Sequence, residues 1–167
     1  MTILRRRVID NTIEDKILTG MIISTRFCRD IEKSYRKEYF STIYAQIIAK
    51  WCIDYFRKYK ECPSKKIQDI FYLEKQNLKE ADAEIISAFL SRLSNEIEQA
   101  ESFNEDYILD KGREYFKKRS LSITTDNIKA LLELNKINDA EKEIQKYRDI
   151  AAKSSGWVDP FLEKEVK

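Results

Sequence analysis

The sequence predicts an all-α fold. Its 167 residues include only three glycines and two prolines, too few turn-formers for a many-stranded sheet. Apolar residues recur three and four apart over long stretches, the spacing that stacks side chains on one helical face. Charged residues make up 36% of the chain and hydrophobic ones 43%, the balance of a globular helical protein with charged outer faces rather than of a disordered chain.

The first helix is expected from Asn11 to about Ile23, with Asn11 and Glu14 forming a relative of the capping box. Ile13, Ile17, Leu18 and Met21 give it one apolar stripe, and Gly20 offers a neighbour close approach. A short helix over about Thr25–Ser34 turns Phe27, Cys28 and Ile31 inward. The strongest periodicity runs from Ser41 to Tyr59 through Tyr44, Ile47, Ile48, Trp51, Cys52, Tyr55, Phe56 and Tyr59, which predicts the central core helix. Cys62-Pro63-Ser64 ends it, because the residue before proline is pushed out of the α region; Ser64 is expected to cap a helix carrying Ile67, Ile70, Phe71 and Leu73. A polar loop over Glu74–Glu80 precedes a helix of about Ala81–Ala100, with Ile86, Phe89, Leu90, Leu93 and Ile97 inward.

Ser102-Phe103-Asn104 interrupts the pattern and predicts a boundary, followed by a helix with Tyr107, Ile108, Tyr115 and Phe116. A helix over about Leu121–Leu134, a turn near Asn135–Asn138 and a return helix to Lys153 predict an antiparallel hairpin. Residues 1–102 are thus expected to form a globular bundle, 103–155 a helical extension and hairpin, and 156–167 the start of a linker or tail. On the return helix Ile137, Ala140, Ile144, Tyr147 and Ala151 form a narrow stripe that two helices cannot bury unaided. With Leu131 and Leu134 they are the candidate oligomer interface.

Chemistry is mostly excluded by missing residues. There is no histidine, so the usual general base and metal ligand are lacking, and Cys28, Cys52 and Cys62 have no metal-site spacing. Three odd, scattered cysteines imply packing roles in a reducing, cytoplasmic compartment. No two glycines have the spacing of a phosphate-binding loop. Acidic pairs such as Glu14-Asp15, Asp82 with Glu84 and Glu141 with Glu143 read as solvated helix faces. The expectation is a chain that is no enzyme, needs no cofactor or metal and touches no membrane. A net charge of +2 from 31 basic and 29 acidic residues gives no overall field for nucleic acid, so any such contact is local. Arg5, Arg6 and Arg7 are the candidates for it, whereas Lys117-Lys118-Arg119 is explained by a helix end. The aromatic series from Tyr44 to Tyr59 reads as core rather than as a base-stacking platform.

The order of these features resembles the N-terminal domain of DnaB-type replicative helicases, in a phage-like form. The similarity lies in Asn11-Thr12-Ile13-Glu14-Asp15-Lys16-Ile17-Leu18-Thr19-Gly20, in Tyr39-Phe40-Ser41-Thr42-Ile43-Tyr44, and in the turn Lys58-Tyr59-Lys60-Glu61-Cys62-Pro63-Ser64. It continues in Tyr107-Ile108-Leu109-Asp110 through Phe116-Lys117-Lys118-Arg119, in the Ala140-Glu141 region and in Trp157-Val158-Asp159-Pro160-Phe161. The resemblance implies a DnaB N-terminal-like bundle followed by a hairpin, and a non-catalytic collar that mediates ring oligomerisation in DNA replication. It also implies docking of primase or a helicase loader, with single-stranded DNA met only through the assembled ring. The family's ATPase motor is not within these residues, so the expectation is either an excised collar domain or a free-standing mimic. A phage or plasmid DNA-binding regulator, or a helicase loader or inhibitor, is the alternative.

Overall fold

A computed structural model describes the backbone of residues 2–98 and 103–155, and the side-chain surroundings of 12–97 and 103–148. Among the described residues there are seven α-helices and no strand: α1 (Thr2–Ile23), α2 (Thr25–Glu32), α3 (Ile43–Tyr59), α4 (Lys66–Glu74), α5 (Glu80–Glu98), α6 (Glu105–Glu133) and α7 (Ile137–Ser155). Short 3-10 turns at Lys37–Tyr39 and Lys75–Asn77 lead into α3 and out of α4. The expected all-α class is what is found.

The chain divides into two compact units, 1–115 and 116–167, so the division falls inside α6 rather than near Ser102, which lies outside the described residues. The N-terminal part of α6 belongs to the first unit because its side chains reach α1 and α2. Gly112 lies against Ile17 and Ile31, and Arg113 pairs with Asp30 at 3.6 Å. α6 is one continuous helix, not a break followed by a new start near Leu121. Lys117, Lys118 and Arg119 therefore sit mid-helix, and a helix-end dipole does not account for them.

In the first unit, α3 packs against α1, α2, α4 and α5. Its buried row is Ala45, Ile48, Ala49, Cys52, Ile53 and Phe56. That row is rotated from the expected aromatic one: Tyr44, Trp51 and Tyr55 are half-buried and Tyr59 is 51% exposed. Two alanines on the inner line let α1 and α2 come close, and the bulky rings are pushed to the flank, where Tyr44 tilts against Phe89 of α5. Gly20 behaves as its position suggested, since a β-carbon there would lie 2.8 Å from ring atoms of Phe27.

Four local expectations are corrected. α1 starts at Thr2, upstream of Asn11, so the capping box does not form. Ser64 does not cap α4; it adopts φ 49° and its amide donates to the Ile22 carbonyl at 2.8 Å, which pins the turn onto α1. Ile97, expected inward, is exposed, as are Leu73 and Tyr107 among the apolar residues of their helices. Glu14 is not a solvated charge but is fully buried. α2 is capped by Ser24, whose hydroxyl oxygen accepts the Phe27 amide at 3.1 Å while its O–H donates to Glu105.

Candidate interaction surface on the helical hairpin

In the second unit the lower half of α6 turns tightly into α7. Asn135 takes φ 55°, and the amide of Lys136 donates to the Leu131 carbonyl at 2.9 Å, the close of a helix on a left-handed residue. The half-buried row of α6 is Ile123, Thr124, Ile128 and Leu131; the inward row of α7 is Ala140, Glu143 and Tyr147. Of these two rows Ala140 is the deeply buried member, at 4% exposure.

The remaining apolar residues lie to one side. Leu121 and Leu132 are eleven residues apart, which at about 100° per residue places them within roughly 20° of each other and about 90° from the inward row of α6. Ile137 and Ile144 are one heptad apart and stand about 80° from the inward row of α7, in the same rotational sense. In an antiparallel pair, equal senses of rotation lead to the same side. Leu121, Leu132, Ile137 and Ile144 therefore form one apolar flank, with Leu134 at the tip 66% exposed, Ile137 60% and Ile144 48%. The opposite side of α7 carries Asp139, Lys142 and Lys146, and Asp126 and Glu133 of α6 face away from the partner helix. Lys142 pairs with Asp139 at 3.3 Å and Lys146 with Glu143 at 3.6 Å. The hairpin thus carries an apolar row on one side, edged by the exposed charges of Lys129, Glu141 and Arg148, and a fully charged row on the other side of α7.

Of the residues singled out from sequence, Ile137 and Ile144 belong to this flank, and Leu134 is exposed at the tip beyond the end of α6. Leu131, Ala140 and Tyr147 are used within the hairpin instead, and the side chain of Ala151 lies outside the described residues. Leu121 and Leu132 were missed; their eleven-residue spacing was the available signal. The side chains of Arg5, Arg6 and Arg7 and the tail Trp157–Phe161 also lie outside the described residues.

The first unit holds two polar centres. The buried Glu14 carboxylate accepts hydrogen bonds from the Ser41 amide, the Tyr115 hydroxyl and, at 3.2 Å, the Thr42 hydroxyl, which joins α1, α6 and the entry to α3. Asp15, one residue on, faces a groove of about 260 Å³ beside α5, where it accepts from Tyr44 and Arg92, each at 2.7 Å. Burial, helped by the Asp15 hydrogen bond, pushes the Tyr44 hydroxyl well above its ordinary pKa. Burial also raises the Cys28 thiol to about 12 and the Cys52 thiol well above its usual range, the reverse of what a nucleophilic cysteine needs. Among the described residues no group of histidine, cysteine and acidic side chains is placed to hold a metal ion. None of the described helices is long and apolar enough to cross a membrane.

Comparison with known protein families, curated proteins and solved structures returns no match.

Proposed function

We propose that the chain is a non-catalytic scaffold that self-associates through the apolar flank of its hairpin and serves as the N-terminal collar of a DnaB-type replicative helicase. Two lines support this reading. One is the sequence resemblance, which spans the bundle and the hairpin. The other, and the observation that carries the reading, is the exposed apolar row of Leu121, Leu132, Ile137 and Ile144, edged by Lys129, Glu141 and Arg148, on one side of an element too thin to cover it. A second copy is the occupant we favour, because two-fold pairing sets an identical apolar flank against this one and leaves both charged faces in water. The collar would organise a ring during replication and present docking surfaces to primase or a loader; it would do so in the cytoplasm, without a cofactor.

The test is the mass of the chain in solution at tens of micromolar. An oligomer is expected, and Ile137→Glu with Ile144→Glu should reduce it to monomer with helicity unchanged, since both sites are exposed within the single chain yet would bury charge in the assembly. A monomeric parent chain, or an oligomer indifferent to both substitutions, would overturn the self-association. The helicase assignment is tested separately, by whether the chain co-sediments with a DnaB-type motor or its primase.

A further inference from the structure

The turn that joins α3 to α4 concentrates charge that the balanced chain otherwise spreads. Of the ten residues Arg57 to Lys66, five are basic and only Glu61 is acidic. Two of the cations are committed: Arg57 pairs with Glu32 at 2.9 Å and Lys66 with Asp69 at 3.5 Å. Lys58, Lys60 and Lys65 are exposed and have no carboxylate within ion-pair distance among the described residues. A helix dipole explains Lys58 and Lys60, which close α3, but not Lys65, which opens α4, where a cation is at the unfavourable end.

An aromatic surface stands in the same place. Tyr59 is 51% exposed at the end of α3. Its ring rests on that of half-buried Tyr55, centroids 4.5 Å apart, and the Lys58 ammonium lies over it at 5.1 Å. The Lys58 ammonium thus covers a face of the Tyr59 ring, and its transfer to a phosphate would open that face to a base. The turn is also held firmly: Lys60 and Ser64 take positive φ, the Cys62 amide donates to the Thr25 hydroxyl at 3.1 Å, and the Ser64 amide donates to Ile22. Anchoring of this kind limits the ordering cost that contact with a flexible strand would otherwise carry.

We infer that the Lys58-Tyr59-Lys60 turn with Lys65 is a contact surface for single-stranded nucleic acid, with phosphates at the three lysines and a base on Tyr59. An acidic peptide would satisfy the lysines but leave the ring unused. A duplex would hide its base faces from the ring. The surface is separate from the hairpin flank and does not depend on the collar reading.

The experiment is fluorescence anisotropy of a labelled oligothymidylate of about twenty nucleotides with the full chain, titrated at several salt concentrations. Binding is expected at low salt with a dissociation constant of roughly micromolar to hundred micromolar, weakening steeply as salt rises. Substituting Lys58→Gln, Lys60→Asn and Lys65→Gln together should flatten the slope of log affinity against log salt by about 2, from about 0.7 per lost phosphate contact. Tyr59→Ala should weaken binding about tenfold while Tyr59→Phe keeps it, as base stacking requires. Circular dichroism of each variant confirms that the helices are retained. The inference is overturned if the parent chain does not bind, if the triple variant keeps the full salt slope, if Tyr59→Ala binds like the parent, or if polyglutamate or duplex DNA competes as well as the single strand.

Discussion

Replacing Tyr115 by phenylalanine removes one oxygen atom and should destabilise the first unit by about 2 kcal/mol. The Tyr115 hydroxyl is buried and donates to a carboxylate that is itself 0% exposed, so water does not replace the lost donor. Hydrogen bonds to charged groups contribute about 1.5–3 kcal/mol, and leaving a buried acceptor short of a partner costs that range in full. Glu14 keeps the Ser41 amide and the Thr42 hydroxyl, so the loss is one of three bonds rather than the whole network. For a unit of about this size, 2 kcal/mol corresponds to a fall in melting temperature of roughly 8 °C. The assay is urea denaturation followed by tryptophan fluorescence in a Trp157→Phe background, which leaves Trp51 on α3 as the sole reporter of the first unit. Pairing Tyr115→Phe with Glu14→Gln closes a double-mutant cycle, where a coupling of more than about 0.5 kcal/mol is expected for groups in one network. If Tyr115→Phe changes stability by less than 0.5 kcal/mol, or the two changes are additive, Glu14 is not the junction of α1, α6 and the α3 entry.

Three further perturbations test other joints of the fold. Gly20→Ala should destabilise by about 1–3 kcal/mol despite alanine's better helix propensity, because the new methyl would stand 2.8 Å from the ring of fully buried Phe27; a more stable variant in the same denaturation assay would contradict the close α1–α2 approach. Ser24→Ala should cost about 1 kcal/mol through loss of the α2 cap to the Phe27 amide, read as a fall in melting temperature. Cys28 and Tyr35 are both raised by burial to about 12, from about 8.5 and 10 in an unfolded chain, so above those values the unfolded state binds fewer protons than the native one. Stability is therefore complete below about pH 8.5 and declines as pH rises toward 12, checked by denaturation at stepped alkaline pH. In the same samples near pH 8, alkylation followed by mass spectrometry should modify half-exposed Cys62 first and spare buried Cys28 and Cys52.

What the sequence made legible was what depends on periodicity and local chemistry. α3, α5, the turn after α6 and α7 fall within a few residues of expectation because their apolar spacing is long and regular, although α3 is closed by Lys60 at φ 61° ahead of Pro63 rather than by the proline itself. The failures share a cause: they turn on what a residue meets across space. Glu14 sits beside Asp15 in an ordinary charged helix, and only Ser41 and Tyr115, far along the chain, make it a buried acceptor. Ser64 has a capping residue's identity but spends its backbone on Ile22. On α3 the spacing predicted a face correctly and its centre wrongly, because Ala45 and Ala49 contribute little to an apolar pattern yet decide which side admits a neighbouring helix.

The same distinction separates the two candidate surfaces. A heptad stripe read as one seam is in fact split, with Ala140 and Tyr147 serving the hairpin itself and Ile137 and Ile144 left on the flank. Substitution at Tyr147 therefore tests folding of the hairpin as much as association, whereas Ile137 and Ile144 test association alone. On α3 the reverse happened: Tyr59 was counted into the core by its spacing and stands half outside it, where the next turn adds three lysines free of ion pairs among the described residues. In both places the residue that breaks the pattern's assignment carries the functional question. An apolar side chain left exposed by its own helix partner calls for an apolar occupant, and an aromatic ring left exposed among cations calls for an anionic ligand with a flat face.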